Sequence, residues 1–478
     1  MKVQVFIRAD GSTTIGLGHL VRCSALAFML KDDFTVTFFC REIPDIMVTE
    51  LEEKDFRCIR IADANEFFSN ITSGSIVVLD GYHFDTDYQK RIKAIGAKLV
   101  CIDDLHDKEF VADLIINHAP HITPQNYKTQ PYSQFALGLE YALLRPAFLE
   151  QAQKQRIIEK IETLLICFGG SDLKNLTQSS LEVALELKEF KKIIVVTGAA
   201  YQISEVFDQL TKSDPRINHW HVINEEQMLA VMTEVELAIV PASGILFEAL
   251  AAGCIVLSGF YTDNQKLVYE NFKKSGSIID CGNFDISKIR NSLKEALTVK
   301  RNQDNPIDGK SSSRINKIFN QLQKEFLVSA RKALPSDLKI TYKWANKSEI
   351  RRYSFHQHQI SDLEHNNWFI NKLNDSNCYF YIFEYCGKQI GSIRFDIKNN
   401  EALISYLLDP EYHGRNLGLL LLKKGIERLS IEEISEYHPI HEISGYVMKT
   451  NAPSIKAFDR LGFMRIDQGE TLKFTKSL

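Results

Sequence analysis

This sequence has no stretch approaching the roughly 18 uninterrupted apolar residues of a membrane span. Its opening, "MKVQVFIRAD", has neither an apolar signal region nor a small-residue cleavage site. It reads as a first β-strand, so the expectation is a cytoplasmic protein. The nine cysteines are scattered, with no C-x-x-C pair and no Cys/His cluster at zinc spacing. Several lie in apolar runs such as "KLVCIDD" and "TLLICFGG", which suits buried reduced thiols. A net charge of -4 gives no global attraction to nucleic acid or to a membrane surface. Internal repeats and low-complexity tracts are also lacking. These absences argue against an integral membrane protein, a disulfide framework, a zinc module and a solenoid.

What is present is ordinary globular composition, with 45% hydrophobic and 25% charged residues in a chain of 478. At roughly 150 residues per domain the length predicts about three domains. Over the first 300 residues short apolar runs alternate with amphipathic segments: "VQVFIRAD", "TVTFFC", "SIVVLD", "KLVCIDD", "DLIINH". A second series follows: "TLLICFGG", "KIIVVTG", "INHWHVI", "LAIVPAS", "CIVLSG", "GSIIDCG". Such alternation predicts βαβ units and parallel sheets, hence two doubly wound α/β lobes with a cleft between them. The expected boundaries are 1–150 and 151–328. The segment "INKIFNQLQKEFLVSA" is expected as the last helix of the second lobe, "ALPSD" as a linker, and 338–478 as an α+β domain.

In the first lobe, "IRADGSTTIGLGHLVRC" places a glycine-rich loop between strand and helix. The helix start after Gly18 offers free backbone N–H groups and a positive dipole end to a phosphate or sugar oxygen. His19 stands at that mouth and is a candidate general base, because imidazole changes charge near neutral pH. It is equally a packing or capping residue on spacing alone. The loop lacks the third glycine of a dinucleotide fingerprint and the G-K-[ST] of a P-loop. Asp10, and Asp80 and Tyr82 of "LDGYH", are candidates to line the cleft or to serve as strand-end hydrogen-bonding residues.

In the second lobe, "CFGGSD" places Gly170 and Ser171 after a strand as a backbone cradle. In "VPASGILFEALAAGC", Ser243 and Gly244 open a helix and Glu248 lies one turn in. Glu248 suits either two ribose hydroxyls or a favourable helix-start charge. "YTDNQ" adds Asn264 and Gln265.

These motifs together resemble the hydrolases that remove UDP from 2,4-diacetamido-2,4,6-trideoxy-β-L-altropyranose in pseudaminic acid biosynthesis, of glycosyltransferase B-like fold. The resemblance covers roughly residues 1 to 325. It implies His19 as the base that activates water, with inversion at the anomeric carbon, and Asn264 close to the sugar. It implies a UDP-sugar site that includes Gly18, Arg22, Asp80, Tyr82, Gly170, Ser171, Ser243, Gly244, Glu248 and Gln265. No metal is expected.

The third region reads "SYLLDPEYHGRNLGLLLLKKGIERL" and then "GYVMKTNAPSIKAFDRLGFMRI". A strand, a turn and a helix start again favour a pyrophosphate. These stretches resemble the GNAT acetyltransferase fold, which implies acetyl-CoA as acyl donor, held around Leu408, His413, Gly414, Arg415, Asn416, Leu417 and Gly418, with Asn451 and Ser454. The usual loop is [QR]-x-x-G-x-[GA]. Here His413 stands first and Asn416 replaces the first glycine; Asn tolerates left-handed backbone angles. Phe458 stands where a tyrosine often protonates the departing thiolate. Candidate bases are Glu364, His365 and Tyr406, while His365 and Trp368 also read as the packed face of a helix.

The fusion implies two consecutive steps on a UDP-linked diamino sugar: N-acetylation of the C4 amine, then release of UDP. A glycosyltransferase, a CoA-sensing module and a protein acetyltransferase are the rival readings. Neither nucleic acid nor membrane is an expected partner.

Overall fold

The computed structural model describes residues 2–12, 16–170, 172, 174–300, 305–433 and 440–477. The chain divides into two compact units between Leu322 and Gln323.

The first unit holds two lobes. The N-terminal lobe runs through β1 (Val3–Ala9), β2 (Phe34–Cys40), β3 (Arg57–Arg60), β4 (Ile76–Asp80), β5 (Lys98–Ile102), β6 (Glu109–Phe110), β7 (Leu114–Asn117), β8 (Lys128–Thr129) and β9 (Gln134–Leu137). Seven of these form one parallel sheet in the order β3-β2-β1-β4-β5-β7-β9, while β6 and β8 pair separately. The central strands are apolar on both faces, as a sheet covered by helices on both sides requires: Val5, Ile7, Ile76, Val77 and Val78 are fully buried.

The second lobe repeats the plan with β10 (Thr163–Cys167), β11 (Lys192–Thr197), β12 (Ile217–His221), β13 (Leu237–Pro241), β14 (Ile255–Gly259) and β15 (Ile279–Asp280). Its parallel order is β12-β11-β10-β13-β14-β15. Each sheet reverses its strand order once, between β1 and β4 and between β10 and β13. Crevices at the carboxyl ends of such neighbours are where doubly wound folds take ligands.

Two boundaries differ from the sequence expectation. The helix Ser311–Leu327 does not stay with the second lobe. Phe319 packs edge-on against Phe34, the ring centroids 6.0 Å apart, and the Asn316 amide donates to the Met29 carbonyl at 3.2 Å. Its apolar stripe, Ile315, Phe319 and Leu322, is buried. The chain thus returns to the first lobe.

The helix also ends earlier than expected, and "VSARK" forms β16 (Val328–Lys332), the edge of the C-terminal sheet. The expected linker is a short 3-10 turn, Pro335–Asp337. Asp337 is buried there and pairs with Arg331 of β16 at 2.7 Å.

The C-terminal unit continues with β17 (Cys378–Tyr385), β18 (Lys388–Lys398), β19 (Glu401–Leu408), β20 (Glu442–Met448), β21 (Met464–Gln468) and β22 (Thr471–Ser477). The order is β16-β17-β18-β19-β20-β22-β21, antiparallel except for β19 beside β20. That parallel pairing runs only from Glu401↔Glu442 to Ile404↔Gly445. Among the described residues Ser405–Leu408 therefore has no strand partner on the β20 side. The helix Leu417–Glu433 covers the sheet through Leu417, Leu420, Leu421 and Leu422, all buried.

Candidate active sites

The first site forms at the β1–β4 reversal. The helix Gly18–Leu30 begins directly after the glycine loop, so His19 and Arg22, three residues apart, share one face. That face meets the end of β4. His19 Nδ1 lies 2.6 Å from Asp80 Oδ1; Arg22 Nε donates to Asp80 Oδ2 at 2.6 Å. Arg22 also donates to both oxygens of Asp104, at 2.8 and 2.7 Å, and Tyr82 Oη donates to Asp104 Oδ2 at 3.3 Å. His19 stands edge-on to the Tyr82 ring, the centroids 4.9 Å apart.

Burial alone raises the proton affinity of Asp80. The Arg22 guanidinium and then His19 override it and hold the carboxyl well below the usual carboxylate range. An ionised carboxylate only accepts, so the proton between the two groups sits on His19 Nδ1. In the neutral ring the lone pair is then on Nε2, the nitrogen able to take a proton from water. Burial first, then the Asp104 charge, pushes the Tyr82 phenol up to about 12, so it stays a hydrogen-bond donor at neutral pH. Asp104 was not among the sequence candidates, although it closes the "KLVCIDD" strand.

Asp10 is a strut. It pairs with buried Arg8 at 2.7 Å and accepts from the backbone N–H of Arg41 at 2.6 Å and of Glu42 at 3.2 Å. It therefore ties the end of β1 to the end of β2.

The second lobe presents backbone. Gly244 opens the helix Gly244–Ala251, Ser243 precedes it without a side-chain cap bond, and the space beside the Gly244 Cα is open. The adjacent cradle, Gly169 and Gly170 after β10, lies so close to the loop after β11 that a Cβ on Gly198 would sit 2.5 Å from the Gly170 Cα. Ser171 lies outside the described residues. Gly18, in the first lobe, also has open space beside its Cα.

Glu248 is not free. Arg145 Nε and Nη2 donate to its Oε1 at 3.1 and 2.7 Å. Burial raises its proton affinity and Arg145 opposes the rise. Gln265 serves its own loop, its side-chain oxygen accepting from the Tyr261 N–H at 3.0 Å. Asn264 reaches the other lobe, its amide donating to Tyr82 Oη at 3.4 Å. His118 stacks on Phe247 with centroids 4.0 Å apart, and burial drives its proton affinity down to about 4. A neutral ring therefore joins the lobes.

In the C-terminal unit, the loop after β19 is built as a cradle. Gly414 has φ +76° and Asn416 φ +58°, so asparagine does take the left-handed turn. His413 Nε2 donates to the Leu408 carbonyl at 3.0 Å and ties the loop to its strand. Arg415 sits over the Tyr412 ring at 5.5 Å. Leu417 and Gly418 begin the helix, whose first N–H groups have no partner within the helix ladder. A Cβ would find open space at Gly414 and only Leu408 Cδ2, at 3.9 Å, at Gly418. This arrangement fits a pyrophosphate. Asn451 caps the helix Ala452–Arg460 by accepting from the Ser454 N–H at 3.2 Å, and Tyr406 Oη donates to Ser454 Oγ at 2.8 Å. Among the described residues no group of three or more His, Cys, Asp or Glu is placed to hold a metal, and no helix is long and apolar enough to cross a membrane.

Two tandem α/β lobes with a polar cleft, followed by a mixed sheet whose central parallel strands part, define a glycosyltransferase B-like body joined to a GNAT domain. The acetyltransferase (GNAT) domain family matches residues 330–464. The N-terminal region is homologous to the UDP-2,4-diacetamido-2,4,6-trideoxy-β-L-altropyranose hydrolase of Campylobacter jejuni, 27% identical over 285 residues, covering 57% of this chain and 97% of the relative. It is likewise homologous to the spore coat polysaccharide biosynthesis protein SpsG of Bacillus subtilis, 24% identical over 68% of this chain and 99% of that protein. An uncharacterized protein of Methanocaldococcus jannaschii is 24% identical over 98% of both chains. Among solved structures, the N-acetyltransferase PseH of Campylobacter jejuni covers 32% of this chain and 98% of its own, at 18% identity and a TM-score of 0.24. The spermidine N-acetyltransferase of Vibrio cholerae, solved with CoA and spermine, covers 32% of this chain and 95% of its own, at 17% identity and a TM-score of 0.29.

Proposed function

We propose that the chain performs two consecutive steps on a UDP-linked amino sugar. The C-terminal domain transfers an acetyl group from acetyl-CoA to the sugar's C4 amine. The cleft of the first unit then hydrolyses UDP-2,4-diacetamido-2,4,6-trideoxy-β-L-altropyranose to UDP and the free sugar. The observation that carries the hydrolase half is the Asp80–His19 pair, at 2.6 Å, at a strand-order reversal. An alignment over 97% of a hydrolase of that name supports it.

The chemistry follows from the arrangement. UDP is a good leaving group, so the cleft must place a water opposite it and stabilise the departing phosphates. His19 takes the water's proton at Nε2 while Asp80 steadies the imidazolium that forms. Tyr82 and Asn264, joined across the cleft, border the sugar. The Gly244 helix start and the Gly169–Gly170 cradle receive the diphosphate. Glu248 offers its second oxygen to the ribose. In the C-terminal domain, Gly414–Gly418 and Asn451 hold acetyl-CoA, which supplies the acetyl group as a thioester.

The test is a mass-spectrometric time course with the full chain and UDP-4-amino-4,6-dideoxy-β-L-N-acetylaltrosamine. Acetylation first, with UDP release only when acetyl-CoA is present, is the expected result. UDP release without acetylation breaks the coupling of the two steps. No turnover of this sugar or of its diacetamido form overturns the substrate assignment.

A further inference from the structure

The C-terminal unit holds a partly open pocket of about 330 Å³ beside Ser405–Leu407, the half of β19 with no strand partner on the β20 side among the described residues. His365 lines it and is only 3% exposed. Its Nε2 lies 3.1 Å from Thr341 Oγ1. The Thr341 hydroxyl has one proton, and two carbonyls of its own helix turn, Asp337 and Leu338, lie 3.0 Å from it. With that proton spent on a carbonyl, the hydroxyl oxygen accepts from the imidazole. His365 therefore carries its proton on Nε2 and its lone pair on Nδ1. The ring is packed among Tyr342, Trp368 and Phe369, with centroids 5.4, 5.2 and 6.0 Å away. This is a fixed, neutral imidazole in a pocket at the parted strands.

We propose that His365 is the general base of acetyl transfer, its Nδ1 taking the proton of an amine seated in this cavity. The proton passes from the ammonium to Nδ1. The freed amine forms the N–C bond to the thioester carbonyl carbon, the C–S bond breaks, and CoA leaves as the thiolate. The amine loses its second proton as the amide forms. One of the two protons returns to the thiolate and the other goes to solvent. The inference rests on the acetyltransferase reading and not on the identity of the amine.

The charged and titratable groups that face the ring or line its cavity are Asp362 and Glu364 on its own helix, Tyr342, Arg351, Arg394 and Tyr406. Burial lowers the proton affinity of His365, and Asp362 and the Leu338 backbone oppose this less strongly. Arg394 is tied to Asp396 at 2.9 Å and lies over Trp368. Glu364, the competing base, also lines the cavity, but its side chain is 57% exposed and lies 4.0 Å from His358.

The test uses the full chain, acetyl-CoA and the UDP-linked 4-amino sugar. His365→Gln is expected to lower kcat about 100-fold, leave the KM for acetyl-CoA unchanged and abolish the acid limb of the kcat profile. Glu364→Gln is expected to keep that limb. An unchanged limb in His365→Gln, or its loss in Glu364→Gln, overturns the assignment. If the wild-type chain does not acetylate this amine, the acceptor reading fails, and His365 is judged without an acceptor. In ¹⁵N-histidine NMR of the full chain at pH 7, its resonances, identified by Thr341→Val and His365→Gln, should show a protonated Nε2 and a bare Nδ1. The opposite tautomer, or an imidazolium, overturns the proposal.

Discussion

The two lobes of the first unit share a strand order, yet they place different chemistry at their reversals. The N-terminal lobe brings His19, Arg22, Asp80 and Asp104 there, all side chains with charge or proton affinity, held by one another within a few ångströms, while Asp10 braces the end of β1 against β2. The second lobe presents glycine, serine and the open end of a helix. One topology thus carries two offices. Side chains on the first sheet can move a proton, while main-chain N–H groups on the second can hold an anion without moving one. Strand order fixes where a ligand lies, and the residues just past the strand ends decide what is done to it.

The sharpest way to break this contrast is to disarm the first lobe alone. His19→Asn is expected to slow UDP release about 10⁴-fold, the upper end of what a positioned base supplies, with UDP affinity retained in calorimetry. A variant that also loses UDP would move binding into the first lobe.

Asp80→Asn comes next. An amide can donate to His19 Nδ1 and reverse the tautomer, so a loss of about 10³-fold is expected. It also leaves Arg22 short of a buried partner, at about 3–5 kcal/mol in chemical denaturation. The carboxyl is held below its unfolded value in the folded protein. Its contribution is therefore full above about pH 4 and lost as pH falls through the depressed folded value. Wild type and Asp80→Asn should converge in stability on acidification, and parallel curves would contradict the ionised assignment.

Glu248→Ala addresses the second lobe. It should raise KM about tenfold with little change in kcat, because the proposed ribose contact would be made in ground and transition states alike. A pure fall in kcat would give that lobe a part in the chemistry.

In the C-terminal loop, Asn416→Val should raise the KM for acetyl-CoA about fivefold, since a β-branched residue at φ +58° costs about 1–2 kcal/mol. Asn416→Gly should stay near wild type. The smallest effect is expected from ending the chain at Leu327, which keeps the helix Ser311–Leu327 and removes the C-terminal sheet. UDP release from the diacetamido sugar should be unchanged in a direct assay.

The lobe sheets were legible in sequence because strands buried on both faces read as unbroken apolar runs. The same rule explains the misses. β3 is only partly buried, and β16 buries Val328 alone, so neither carries a run. The glycine loop and His19 were visible as a motif, and Asn416 as a residue suited to a left-handed turn. The partners were not visible, because Arg22 meets Asp80 58 positions away and Asp104 82 positions away. Arg145 lies in no motif, yet it occupies one oxygen of Glu248 from 103 positions away. Sequence order shows which residues stand at strand ends, whereas the reversal of strand order decides which ends are neighbours.

The return of the helix Ser311–Leu327 to the first lobe has a mechanical consequence. The polypeptide passes between the lobes once after Arg145 and again before Ser311, so two covalent tethers span one cleft. A single tether acts as a swivel. Two define a line, and a body held along a line opens and shuts like a book while resisting twist. The pages of that book are the face bearing His19 and the face bearing Gly244. Rotation about that line would return them to the same register.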